Sequence, residues 1–198
     1  FSIDDANTTE IDDALSVVKL PGIGSRIGSR IGIHIAAPGL AIAHGSPLDG
    51  VARARLSTVY MPGNKITMLP DAVVQNYTLA GGVDCPAVSL YLTVNESLEI
   101  LSHESRLEMV HIAANLRHHE VEPWFNAETI GGPLPDEPFR DELVHLWHFA
   151  NACEGRRGKP SAMQGINDYN FAIVGDLAEP DACIVEITER KRGSPLDK

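Results

Sequence analysis

Cysteine is scarce. Cys85, Cys153 and Cys183 are the only three, odd in number and without CxxC spacing. That pattern excludes a disulfide framework and a thiolate zinc site, and suits reduced, buried thiols of a cytoplasmic protein. No apolar run approaches the roughly 20 residues of a membrane-spanning helix, so no membrane partner is expected. The chain opens on Phe1 rather than Met, so the lack of a signal peptide carries no weight. Basic residues are also few: 16 Lys+Arg stand against 27 Asp+Glu, a net charge of −11. Neutralising phosphates takes Lys and Arg, so this chain alone is expected to bind nucleic acid weakly. There is no internal repeat and no low-complexity tract. A length of 198 residues with 43% apolar and 22% charged content suits one globular domain with a real core.

What the chain does have is acid at its very start. Phe1-Ser-Ile-Asp-Asp-Ala-Asn-Thr-Thr-Glu-Ile-Asp-Asp13 holds five carboxylates. Ile3, Ile11 and Ala14 bracket them, so this is not a free acidic tail. Two carboxylates about 4 Å apart repel by roughly 1 kcal/mol in water and about 4 kcal/mol near a protein surface. A fold that gathers Asp4, Glu10, Asp12 and Asp13 therefore calls for a cation, and hard oxygen donors favour magnesium, manganese or calcium. An EF-hand loop fits badly, because the Asp/Asn register and the glycine at its sixth position are missing. A magnesium ion held by few carboxylates keeps positions open for phosphate oxygens and an attacking water, which makes phosphodiester chemistry the first reading. A solvated acidic loop, or Asp12-Asp13 capping a helix, would explain the same residues without chemistry.

Patterning predicts an α+β fold, a mixed sheet packed with helices. Ile31–Ala37, Ser89–Val94 and the alternating stretch Leu107, Met109, His111 within 98–112 read as strands. Gly22 to Gly32 reads as a hairpin turn, more so than as a phosphate cradle, since no helix follows. Gly131-Gly-Pro-Leu-Pro135 is a breaker cluster, and Phe139, Leu143, Leu146, Trp147 and Ala150 recur at helical spacing over 137–156. Phe171–Val174 and Cys183–Ile187 flank a polar turn as a β-hairpin, and 156–168 reads as a loop. His34 is expected to be a core or wall histidine.

Several ordered blocks resemble the ribonuclease II/ribonuclease R (RNB) family. Ile3-Asp4 followed by Glu10 and Asp12-Asp13-Ala14 resembles the motif that opens its catalytic domain. Ile31-Gly-Ile-His-Ile-Ala-Ala37 resembles the next strand, and Gly45-Ser-Pro-Leu-Asp49, Ala52-Arg53, Ser57-Thr-Val-Tyr-Met-Pro-Gly63 and Ile66-Thr-Met-Leu-Pro70 follow in the family's order. The likeness then thins. Tyr77-Thr-Leu-Ala-Gly-Gly82 stands where a Leu-Cys-Ser-Leu element is usual, and Ala37 replaces an Asp. The tail Ile184-Val-Glu-Ile-Thr-Glu-Arg-Lys-Arg192 resembles the segment before the family's later catalytic helices. Residues 1–198 thus resemble the N-terminal part of an RNB catalytic domain, without the OB/S1-type RNA-binding domains that flank it in the family.

The resemblance implies roles. Asp4 and Asp13 would coordinate Mg²⁺ (or Mn²⁺). Asp12 would be the indispensable acid, and Glu10 a further carboxylate in place of the commoner Asp. Asp5 has no matching role. Tyr60 would pack on the 3′-terminal nucleotide, His118 would stand where some members place a second aromatic residue, and Glu189 would contact the terminal ribose. The basic run Arg190-Lys191-Arg192 would be a solvated face or a phosphate contact. The implied activity is a hydrolytic 3′→5′ exoribonuclease acting on the 3′ end of single-stranded RNA and releasing nucleoside 5′-monophosphates. The family's essential arginine has no counterpart here. The remainder of the same catalytic domain is therefore an expected partner, and this chain by itself is expected to be inactive. Two rivals stand beside this reading: a catalytically decayed paralogue that still binds RNA or joins a complex, and a metal-dependent hydrolase of small phosphoesters.

Overall fold

A computed structural model describes residues 1–21, 28–157, 167–176, 182–191 and 194–197. The chain divides into two units, one of 1–37, 77–162 and 194–198 and the other of 38–76 and 163–193. The mixture of sheets and helices is the α+β class expected.

In the first unit, β1 (Ser2–Asp4) pairs in parallel with β8 (Asn115–Arg117). The main sheet is antiparallel. It is built from β2 (Asp13–Leu20), β3 (Gly28–Ala36), β6 (Asp84–Val94) and β7 (Ile100–His111), in that order. Successive side chains of a strand point to opposite faces, and this sheet uses its two faces differently. Ile31, Leu92 and Val94 pack against Leu146, Phe149 and Cys153 of α4 (Arg140–Arg157). On the opposite face, buried His34 joins three strands: its Nε2 meets Ser16 Oγ at 2.9 Å and its Nδ1 meets Ser89 Oγ at 2.8 Å. Burial holds the His34 imidazole below its ordinary pKa, with Glu108 partly opposing. A neutral ring is the form that bridges two hydroxyls as donor and acceptor. Gly32 is required beside it, since a Cβ there would lie 2.4 Å from Ser16 Oγ and 2.7 Å from His34 Nε2. The wall-histidine reading of His34 holds.

A second cluster gathers Phe1, Val121, Phe125 and Leu143, with Ile3, Leu15, Leu116 and Trp147 against it. It fastens the start of the chain, as do Phe1 N to Leu15 O at 2.9 Å and Leu15 N to Phe1 O at 2.7 Å.

Three sequence expectations shift. The alternation of Leu107, Met109 and His111 does mark a strand, but those side chains are exposed, while Glu108 and Val110 turn inward. Val110 packs on the Ile11–Ala14 cluster, and the neighbouring Tyr91 and Ser89 hydroxyls hold the Glu108 carboxylate below its ordinary pKa. Phe139 precedes α4 at φ +61° and stacks on Phe1 with ring centroids 4.9 Å apart. Within the expected turn, Gly28–Gly32 belong to β3, while 22–27 lie outside the described residues. The expected loop at 156–168 also falls mostly outside them; its first two residues end α4 and its last two begin β9 (Asn167–Val174).

In the second unit, α1 (Pro47–Arg55) starts at Ser46, whose hydroxyl accepts from Asp49 N, with Pro47 in the first turn. That is the usual chemistry of a helix start. Asp49 accepts from Gly45 N at 2.8 Å and Arg53 Nε at 3.0 Å, which lowers its pKa. Next, β4 (Val59–Met61) and β5 (Asn64–Ile66) form a short hairpin, and α2 (Asp71–Tyr77) follows. The expected hairpin near the C-terminus is β9 with β10 (Ile184–Lys191). All three cysteines are free thiols; Cys85 is buried and the others are half-buried. Among the described residues no helix is long and apolar enough to cross a membrane.

Candidate active site

The acidic motif is a strand, a pinned loop and a second strand, and Asp12-Asp13 caps no helix. β1 ends at Asp4, opposite Arg117 in β8. Ser2 Oγ donates to Asp4 Oδ2. The loop turns where Thr8 N bonds Asp5 O at 3.1 Å. Arg117 Nη1 closes over that turn, donating to Asp5 O at 2.9 Å and Thr8 O at 3.3 Å. Ile11 then plunges into a core with Ala14, Leu79, Cys85, Ala87 and Ile112. Ala36 N donates to Asp12 O at 2.8 Å, and Asp13 opens β2 opposite Ile35. Burial of Ile11 and Ala14 on either side leaves Asp12 and Asp13 exposed, while Asp4 and Glu10 are half-buried.

The four carboxylates share one electrostatic neighbourhood. Packing around its base, and then the charges of Glu10, Asp13 and Asp4, push the Asp12 carboxyl above its ordinary value. Packing around its base and the charge of Asp4 do the same to Asp13. Among the described residues no Lys or Arg forms an ion pair with Asp4, Asp12 or Asp13. The donor set, all carboxylate oxygen, fits a hard cation in its chemistry. Its side chains are not preset for one: among the described residues no three His, Cys, Asp or Glu converge closely enough to share an ion.

The raised pKa values carry a sign. A carboxyl whose folded pKa exceeds its unfolded value binds more protons when folded, so stability falls as pH rises from about 3.8 through the folded pKa. The repulsion grows as these carboxyls ionise, and a cation would relieve it. In chelator at pH 7, Asp12→Asn is therefore expected to melt above the wild type. Magnesium should raise the wild-type midpoint by several degrees, since a ligand at a hundredfold excess over its Kd stabilises by about 2.7 kcal/mol, and should raise the variant less. Equal shifts in a fluorimetric melt would count against a cation at this cluster.

Other expected site residues fall as follows. His118 begins α3 (His118–Val121); its side chain is only 19% exposed, and Nδ1 lies 3.6 Å from Glu122 Oε1. Tyr60 is 69% exposed on β4, opposite Lys65. Glu189 is exposed on β10, opposite Tyr169. His118 shares a unit with the four carboxylates, whereas Tyr60 and Glu189 belong to the second unit. Ala37, where an Asp was expected, is buried and bonds through its N to Pro86 O at 3.2 Å. Arg190 and Lys191 end β10, and their side chains, with Arg192, lie outside the described residues.

Two residues that sequence reasoning missed hold the acidic loop: Arg117 and Thr78. No local motif marks either. Thr78 does sit in the stretch where the family's usual element gives way to Tyr77-Thr-Leu-Ala.

Comparison with known proteins gives one consistent answer. The RNB domain family matches residues 1–195. Exoribonuclease 2 of Sodalis glossinidius is 30% identical over 191 residues, 94% of this chain and 28% of that protein. Mycoplasma genitalium RNase R, solved in complex with ribose-methylated single-stranded RNA, superposes with a TM-score of 0.72 at 17% identity, covering 99% of this chain and 29% of that one. Yeast Ssd1, described as a pseudonuclease, superposes with a TM-score of 0.59 at 18% identity over 84% of this chain and 21% of its own. The chain thus spans under a third of the length of each.

Proposed function

This chain belongs to the RNB-domain family of exoribonucleases, and from that premise we propose that it forms the acidic half of a metal-dependent 3′→5′ exoribonuclease site. The observation that carries the reading is the gathering of four carboxylates in one loop: packing and then the charges of Glu10, Asp13 and Asp4 raise Asp12, and among the described residues no Lys or Arg pairs with Asp4, Asp12 or Asp13. Asp4 and Asp13 would hold Mg²⁺, with Mn²⁺ an equivalent, and Glu10 and Asp12 would complete the oxygen set. The bound ion supplies charge stabilisation at the phosphoryl oxygens and acidifies water.

The chain's own residues do the rest. Asp12 positions the attacking water and accepts its proton. The water oxygen bonds to phosphorus as the bond to the upstream 3′-oxygen breaks, and that oxygen takes a proton from solvent and leaves as a 3′-hydroxyl. Each cycle frees one nucleoside 5′-monophosphate. Tyr60, open to solvent, stacks on a base, a contact worth about 1–3 kcal/mol whatever the sequence. Glu189 accepts from the terminal ribose, where the 2′-hydroxyl distinguishes RNA from DNA, and the covered His118 ring offers an edge contact. The remainder of the catalytic domain supplies the arginine at the scissile phosphate, and the cytoplasm is the proposed compartment.

The decayed-paralogue reading has one observation in its favour, the shared fold with a pseudonuclease. The four carboxylates retained here weigh against it. A comparison of 5′-labelled linear RNA with circular RNA separates the possibilities in the completed catalytic domain. The expected result is a ladder shortening from the 3′ end, with circular RNA intact. Cutting of the circle, hydrolysis of mononucleotide phosphoesters alone, or RNA binding without hydrolysis would each overturn the proposal.

A further inference from the structure

Thr78 reaches the acidic loop on both sides of Glu10. Its Oγ1 accepts from Ile11 N at 2.8 Å and donates to Thr9 O at 3.1 Å. One hydroxyl therefore holds the peptide groups on both sides of Glu10. The next residue extends the grip: Leu79 N donates to Ile11 O at 2.9 Å, and the Leu79 side chain is fully buried against Ile11. Thr78 is itself fixed from behind, because Cys85 Sγ donates to Thr78 O at 3.3 Å.

We infer that Thr78 is a positioning residue for divalent-cation binding, setting the backbone frame from which Glu10 reaches the ion. The inference rests on the proposed metal-dependent function. Its physical basis is conformational. Glu10 has one more methylene than Asp and more rotamers to lose on ligation, and a loop left free would add backbone entropy to that loss. Two hydrogen bonds to main-chain groups on either side of the ligand remove much of that freedom before the ion arrives. The side chain of Thr78 needs no contact with the ion, the RNA or the reacting phosphate for this role. What the role requires is a hydroxyl that can accept and donate at once, which serine also offers and valine does not.

The test is Mn²⁺ affinity of the completed catalytic domain, read by electron paramagnetic resonance of the free ion. Wild type, Thr78→Ser, Thr78→Val and Asp13→Asn are compared, with thermal midpoints recorded for each. Thr78→Val should weaken Mn²⁺ binding by about tenfold, while Thr78→Ser stays within about twofold of wild type even where both variants lose similar thermal stability. Amide exchange at Ile11 should quicken in Thr78→Val only. Valine binding Mn²⁺ as tightly as wild type would overturn the inference and leave the proposed function standing. A wild type that binds Mn²⁺ no better than Asp13→Asn would overturn both.

Discussion

Asp12→Asn is expected to cut release of nucleoside 5′-monophosphate from single-stranded RNA by about 10²–10⁴-fold, the usual cost of losing a positioned proton acceptor or a charge-stabilising group. The substitution is nearly isosteric, and the Asp12 carbonyl that accepts from Ala36 N is untouched, so the fold should persist. Because the Asp12 carboxyl is destabilised by packing and by three neighbouring acids, its loss should also stabilise the cation-free protein. Gain of stability with loss of activity is the mark of a site that stores repulsion for function. Single-turnover assays at saturating RNA would place the loss in the chemical step, with RNA affinity changed by less than about threefold. An Asp12→Asn protein that degrades RNA at the wild-type rate would remove Asp12 from the site.

Phe125→Ala is expected to cost about 3–5 kcal/mol, the range for deleting a buried aromatic side chain. Phe125 is 1% exposed, lies edge-on to Trp124 at 5.8 Å and shares a cluster with Phe1, Val121 and Leu143. Domains of this size are stable by about 5–15 kcal/mol, so this single change could remove a large share of the total. The effect should reach the site as well, because Phe1 and Ile3 of the same cluster seat the strand that ends in Asp4. Urea denaturation should show a lower midpoint with little change in slope. A loss under about 1 kcal/mol would mean that the cluster collapses around the gap.

The gathering of the four acids was legible because it is local. Asp4, Glu10, Asp12 and Asp13 lie within ten residues, and the apolar Ile11 and Ala14 between and beside them dictate which side chains turn out. Long strands and α4 were legible from spacing. What was hidden depends on partners far along the chain. Thr78 lies 67 residues from Ile11, and Arg117 lies 112 from Asp5, so no window of sequence joins them. Strands of three residues, such as β1 and β8, are too short to show a period. In β7 the period was visible but its phase was not: buried hydroxyls draw Glu108 inward, and Leu107 and Met109 are left facing out. Phe139 kept helical spacing yet sits ahead of the helix, because the proline-rich stretch before it delays the first turn to Arg140.

The most direct test of the account is a magnesium titration of 5′-monophosphate release from 3′-labelled single-stranded RNA by the completed catalytic domain. No release is expected in chelator, and a saturable rise with Mg²⁺, matched by Mn²⁺. Release that persists undiminished in chelator would contradict a catalytic centre built on these four carboxylates.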